Sequence, residues 1–123
     1  MPFSSLYDKK TVVGLVERVT LNGHIALARI DTGAATSSID LELASKLQLG
    51  PLVAKRKIIS AHGTGVRPVI KSLITIGGRT IKASFTVVSR SHMKYPILIG
   101  RNILRKDFLI DPCLSSSHSS QQP

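Results

Sequence analysis

Apolar and polar positions alternate in short runs over most of the chain, the period of half-buried strands. The runs are rich in β-branched residues: "TVVGLV" from Thr11, "HIALARI" ending at Ile30, "VAKRKIIS" ending at Ser60, "VRPVIKSLITI" ending at Ile76, "TIKASFTVV" ending at Val88, "ILI" at Ile97 to Ile99, and "FLI" at Phe108 to Ile110. Asn22-Gly23 and Gly77-Gly78 each stand between two such runs and predict tight hairpin turns. One stretch has helical spacing: in "SSIDLELASKLQLG", Ile39, Leu43 and Leu47 recur four residues apart. There Ser37 is expected to cap the start, with Asp40 as its capping-box partner, and Gly50-Pro51 to end the helix. A second short helix is expected in "GRNILRKD". The polar, low-complexity stretch "SSSHSSQQP" from Ser115 predicts disorder. The organisation expected is therefore one all-β domain over residues 1–112 with one or two short helices, then a disordered polar tail over 113–123.

Composition narrows this picture. A chain of 123 residues, 42% hydrophobic, supports a single modest core. It has no apolar run long enough to span a bilayer, and "MPFSSLYDKK" lacks a signal-peptide pattern. With a single cysteine, Cys113, no internal disulfide and no thiolate metal cluster can form. These features predict a cytoplasmic protein with no membrane partner. The net charge of +10 attracts anions, but the basic residues are scattered and the one tight cluster, "AKRK" at Ala54 to Lys57, has no interleaved aromatics. A solvated basic surface outweighs a nucleic-acid site.

The candidate chemistry begins with the seven carboxylates. Asp8 and Glu17 lie in polar surroundings and are expected at the surface. Asp40 and Glu42 fall in the predicted first helical turn, where acids suit the helix dipole. Asp107 and Asp111 flank the last strand. Asp31 differs, because the apolar run "IALARI" delivers it to the end of a strand. Thr32 then supplies a hydroxyl, and Gly33 permits a sharp turn and close approach of a ligand. A structural turn explains Asp-Thr-Gly alone about as well as a site does. The context adds Ala34, Ala35, a Ser/Thr patch and, far downstream, "YPILIGRNIL", where an apolar strand ends in Gly100.

Together these residues resemble the retropepsin-like aspartic proteases, over roughly Thr11 to Pro112. The stretches "DTGAATSSI", "GGRTIKASFTVVSRSHMKYPILIGRNIL" and "FLIDP" are similar to a prokaryotic subgroup often labelled "ATP-dependent zinc protease". The resemblance implies a closed acid-protease β-barrel and an aspartic endopeptidase acting on a peptide or protein substrate. It implies Asp31 as the catalytic residue, completed by Asp31 of a second chain in a homodimer. Thr32, Gly33 and Gly100 would support the site, and Ala34 and Ala35 would line the groove. A flap over Ala61 to Val66 would bring His62, Gly63, Thr64 and Gly65 to the substrate. It also implies an ATP-grasp glutamate ligase as a partner, since some members of the subgroup accompany such ligases. Retroviral relatives carry an acid where this chain has Ala35. Arg90 and Arg101 are candidates to replace that polar contact, although exposed surface arginines are the first reading. No zinc or ATP requirement is expected: His24, His62, His92 and His118 share no ligand spacing, and no phosphate loop ending in Lys-Ser/Thr is present. A catalytically silent protein of the same fold, binding a peptide or acidic chain, stays open as the alternative.

Overall fold

The computed structural model describes residues 9–61 and 63–116; Asp8, His62 and residues 117–123 of the predicted tail lie outside the described residues. In chain order the described residues form β1 (Thr11–Val13), β2 (Val16–Leu21), β3 (His24–Ile30), β4 (Ser37–Asp40), α1 (Leu41–Lys46), β5 (Leu52–Ser60), β6 (Gly63–Ile76), β7 (Arg79–Val88), β8 (Ile97–Ile99), α2 (Arg101–Leu104) and β9 (Phe108–Ile110). No helix among them is long and apolar enough to cross a membrane.

Six strands close into a barrel in the order β2-β3-β8-β4-β7-β6. The ring is sealed where β6 meets β2, through Val19↔Ile76 and Thr20↔Thr75. Strand alternation then sorts the side chains. Val19, Leu21, Ala28, Ile30, Ile39, Ile74, Ile76, Phe85, Ile97 and Ile99 fill the interior, and Ile103 of α2 joins them. At the expected turns, Asn22 and Gly23 have φ of +47° and +80°, and Gly77 and Gly78 have +58° and +83°. That left-handed pair is what a two-residue hairpin loop requires. The closed all-β barrel with two short helices is the one expected from the alternation and the resemblance.

Three local expectations are corrected. Ser37 to Asp40 are not helical but form β4, paired in parallel with Phe85 to Val88 and antiparallel with Leu98 and Ile97. Two flanking ladders satisfy that backbone and override the helical spacing. Asp40 becomes the N-cap of α1, its Oδ2 accepting from the Leu43 N–H at 3.3 Å. The run "TVVGLV" is broken at Gly14-Leu15. β1 leaves to pair in parallel with β9, and β2 enters the barrel. Glu17 is fully buried rather than at the surface, because its carboxylate accepts the Gly14 N–H at 2.7 Å at this break. Next to the break, Leu15 and Val16 donate backbone hydrogen bonds to Leu114 and Ser115.

Two features of the topology position the site. β3 and β8 are parallel, with Ile30 opposite Ile99. Both strands therefore end at the same edge, and the residues that follow, Asp31 and Gly100, become neighbours. Among the described residues β5 pairs only with β6, so this hairpin extends beyond the barrel wall with β5 as its outer arm.

Candidate active site

Asp31 is half-buried at the end of β3, and its backbone N–H donates to the Ile99 carbonyl at 2.9 Å. Its carboxylate Oδ1 accepts the Gly33 N–H at 2.9 Å, which fixes the side-chain orientation. Thr32 and Gly33 are exposed at the tip of the turn. Gly33 does not adopt a left-handed φ. A Cβ there would instead crowd the carboxylate, lying 3.1 Å from Asp31 Oδ1.

The second segment holds this loop from below. Arg101 N donates to the Ala34 carbonyl at 2.8 Å, and Asn102 N donates to Ala35 at 3.2 Å. The Arg101 guanidinium donates to the Thr32 carbonyl at 2.8 Å. Gly100 sits so close that a Cβ would meet the Thr36 carbonyl oxygen at 2.6 Å and that of Ala34 at 2.8 Å. Beneath them Ser37, fully buried, accepts the Gly100 N–H at 2.9 Å and donates to Asn102 Oδ1 at 2.7 Å. Asn102 Nδ2 in turn donates to the Ser84 carbonyl at 3.0 Å, tying the network to β7.

The structure thus brings Asp31, Thr32, Gly33, Ala34, Ala35 and Gly100 into one cluster. Gly63, Thr64 and Gly65 lie apart on the exposed first residues of β6, at the tip of the β5–β6 hairpin. His62 falls outside the described residues. Arg101 and Arg90 are not free surface arginines. Arg101 clamps the Thr32 carbonyl, while Arg90 donates from Nε to the Tyr95 carbonyl at 3.0 Å and from Nη1 to Ser38 Oγ at 3.2 Å. Burial lowers the Arg90 pKa, Asp40 opposes that, Arg29 adds to it, and Asp31 opposes it. Ser37 and Asn102 are the members that sequence reasoning missed. Their pairing crosses from β4 to α2, and no local spacing signals it.

A cleft runs from this cluster between the hairpin and the barrel wall. The part next to Ala34 has a volume of about 340 Å³, and a larger part of about 800 Å³ lies beyond it. Arg56 of the hairpin reaches across to Thr36, donating from Nη1 to Oγ1 at 3.0 Å. Among the described residues, no three His, Cys, Asp or Glu side chains stand together as a metal-binding group. The chain's own chemistry here is a single, oriented, solvent-reachable carboxylate beside a groove. One carboxylate can act as a base or an acid, but not as both in one step.

Comparisons with known proteins follow this geometry. The family model described as "RimB-like: Retropepsin-like aspartic endopeptidase RimB" matches residues 44–121, a span that includes the hairpin and Gly100 and begins after Asp31. A "Probable alpha-L-glutamate ligase" of Shewanella pealeana is 32% identical over 110 residues, covering 69% of this chain and 24% of that protein. "DNA damage-inducible protein 1" of Saccharomyces cerevisiae is 30% identical over 92 residues, covering 72% of this chain and 21% of that protein. The chain therefore spans about a quarter of the length of the curated relatives it matches. A crystal structure of a Legionella pneumophila protein of unknown function superposes with a TM-score of 0.62 at 21% identity, covering 87% of this chain and 97% of that one. That likeness concerns the fold.

Proposed function

Because the chain belongs to the RimB-like family of retropepsin-like aspartic endopeptidases, we propose that it hydrolyses peptide bonds as a homodimer, with a water held between two Asp31 carboxylates, one from each chain. The observation that carries this reading is the placement of Asp31. A core strand ends in a carboxylate aimed by the Gly33 N–H, on a turn whose tip, Thr32 and Gly33, is exposed to meet a second copy. A two-fold axis through that tip brings the same residues of both chains together. Thr32 then bridges the two turns, while Arg101 and Gly100 keep each turn in place from its own chain.

In such a pair the two carboxylates share one proton, since like charges so close resist double ionisation, as is general for aspartic proteases. The ionised Asp31 takes a proton from the water as its oxygen attacks the scissile carbonyl carbon. The protonated Asp31 gives its proton to the carbonyl oxygen. The tetrahedral intermediate collapses by breaking the C–N bond: the departing nitrogen receives the proton taken from the water, and a hydroxyl of the intermediate returns its proton to the other Asp31, restoring the shared-proton pair. The hairpin covers the peptide from above, with Ala34 and Ala35 on the groove floor. The names of the Shewanella relatives support placing this activity alongside glutamate ligation, in the same protein or with an ATP-grasp partner.

The test is digestion of a peptide library by the purified protein at a series of concentrations, beside Asp31→Asn. Asn is nearly isosteric and cannot act as a base. It should keep the Tm and lower turnover by about 10²- to 10⁴-fold or more. Specific activity should fall on dilution through the range in which sedimentation shows the dimer dissociating. A parent-like Asp31→Asn rate, or full activity as a monomer, sinks the proposal. Tight peptide binding with no cleavage at any concentration leaves the binding protein of the same fold.

A further inference from the structure

The loop that carries Asp31 is tied at both ends to the same short stretch of chain. At its start the Asp31 N–H donates to the Ile99 carbonyl at 2.9 Å. At its far end Ser37 Oγ accepts the Gly100 N–H at 2.9 Å. Ile99 and Gly100 are consecutive, so Asp31 to Ser37 and the end of β8 form one closed hydrogen-bonded ring. The first tie joins backbone to backbone, and its geometry is open to many sequences. The second needs a side-chain acceptor at residue 37, where Ser37 is fully buried. Between the ties, the Arg101 and Asn102 N–H groups donate to the Ala34 and Ala35 carbonyls, and the Arg101 guanidinium donates to Thr32. α2 has no side-chain hydrogen bond from its N-cap residue. The loop carbonyls and the Ser37 hydroxyl therefore serve the N–H groups that a helix start leaves open.

The direction of each bond in this relay is set by the backbone at its two ends. A backbone N–H can only donate, so Ser37 Oγ accepts from Gly100 and has its own proton to pass on. Asn102 Oδ1 takes that proton's hydrogen bond at 2.7 Å. The Ser84 carbonyl can only accept, so Asn102 presents Nδ2 to it at 3.0 Å. An amide has one accepting end and one donating end, which is what these two neighbours require. An aspartate at residue 102 would set an oxygen against the Ser84 carbonyl, and a leucine would supply neither end. Ser84 is held in β7 by its pairing with Lys71. The relay thus runs in series from the barrel wall, through Asn102 and Ser37, to the Asp31 loop.

We propose that Ser37 and Asn102 are positioning residues for the reaction, fixing where the Asp31 carboxylate stands when two chains pair. The proposal rests on the peptidase reading for its effect on turnover, and its effect on Asp31 can be read without cleavage. The two carboxylates work when both reach one water and one carbonyl, and a displacement of about 1 Å costs about 10²-fold in rate. Thr32, Gly33 and Ala35 are exposed, so packing holds little of this loop and its ties set where it stands. Ser37 is the tie that a side chain supplies, and Asn102 is what keeps the Ser37 hydroxyl turned to Gly100. Asn102 also borders the cleft. Ser37 is buried beneath it, so its substitution gives the cleaner separation of turnover from peptide binding.

The test combines steady-state cleavage of one peptide with the amide spectrum of the isotope-labelled full chain. The spectroscopic probe is the Gly33 N–H, whose bond to Asp31 Oδ1 at 2.9 Å draws its proton signal downfield. Ser37→Ala should lower kcat by about 10²-fold, leave KM within about twofold, and move the Gly33 signal toward its random-coil position. Asn102→Leu should lower kcat and move the signal in the same way. Ser37→Thr keeps the hydroxyl and should retain most of kcat. Because the two residues act in series, Ser37→Ala with Asn102→Leu should be little worse than Ser37→Ala alone. Val19→Ala, at the barrel seam, loosens the fold away from the relay. It should lower the Tm and leave kcat and the Gly33 signal in place. If Ser37→Ala does not fold, Asn102→Leu and Ser37→Thr carry the same decision. Parent-like kcat or an unmoved Gly33 signal in folded Asn102→Leu overturns the proposal. So does an equal loss of kcat in Val19→Ala, which reduces the role to stability. A raised KM with unchanged kcat also overturns it, in favour of a groove contact. If the parent protein cuts no peptide, the peptidase reading fails and the Gly33 signal decides alone. Its displacement in both variants supports the positioning of Asp31, and its constancy overturns it.

Discussion

The turn at Asp31 and the β5–β6 hairpin border the same cleft and are held in opposite ways. The turn is fixed by its backbone hydrogen bond to the Ile99 carbonyl, by those from the Arg101 and Asn102 N–H groups, by the Arg101 guanidinium, and by a glycine with no room for a methyl group. The outer part of the hairpin is held by the ladder between its own strands β5 and β6, and Arg56 makes a side-chain bond from β5 to the Asp31 side of the cleft. Ile59 and Val66 near its tip are 78% and 64% exposed. Few buried contacts and exposed backbone bonds mark a segment that opens locally at low cost. The chemical group sits on the over-determined element, and the element that must admit and release a chain is the under-determined one.

Matched glycine substitutions put this contrast to its strongest test. Gly100→Ala forces a methyl group against two backbone carbonyls that cannot step aside. It should destabilise the fold by about 1–3 kcal/mol and disorder the Asp31 turn. Gly65→Ala adds the same methyl group where nothing lies within 4 Å, and should stay within about 0.5 kcal/mol of the parent. Thermal unfolding of the two proteins measures the difference, and equal Tm values would remove the contrast.

A smaller effect concerns the link between the two regions. Thr36→Val keeps the shape of the side chain and removes the Oγ1 that accepts from Arg56. Amide exchange along β5 should quicken by roughly 2- to 10-fold, while β3 and β8 amides keep their protection. Faster exchange spreading into β3 would mean that turn and hairpin open as one unit.

The smallest effect lies at the edge of the molecule, as a control remote from both regions. Asp107 accepts a hydrogen bond from Lys10 Nζ at 2.8 Å, and this bond, with the Lys10 charge, holds its carboxyl below the ordinary value. A depressed folded-state pKa adds stability above the unfolded-state pKa and loses it as pH falls through the folded value. Asp107→Asn, which tolerates the φ of +67° there, should lower the Tm slightly at neutral pH. The difference should vanish in acid below the usual carboxylate range and shrink with added salt. A difference that persists in strong acid would point to the backbone rather than the ion pair.

The legible part of this molecule was local. Period-two alternation marks the barrel strands because each buries one face, and Asn22-Gly23 marks a turn because both residues accept a left-handed φ. Asp31 and Gly100 could be picked out because each closes an apolar run that names its own strand end. What failed to show was settled by distant partners. Ser37 to Ile39 read as the start of a helix until β7 and β8 pair with them on both sides. Glu17 looks like a surface acid because its acceptance of the Gly14 N–H depends on how the chain breaks between two sheets. Arg56, Arg67, Lys71 and Lys82 are scattered in sequence, and the joint register of β5, β6 and β7 brings them to one side of the sheet.

The barrel is sealed by a short ladder, Val19 and Thr20 against Ile76 and Thr75. These strands are separated along the chain by β3, β4, α1 and β5. Such a contact carries a large loop-closure entropy and belongs to the slow, non-local class of folding events. If this seam forms after the hairpins, Val19→Ala should accelerate unfolding and leave the folding rate nearly unchanged; an equal slowing of folding would place the seam in the transition state. On that order of events, the lifetime of the folded chain is set where β2 meets β6 rather than at the strand ends that carry Asp31 and Gly100.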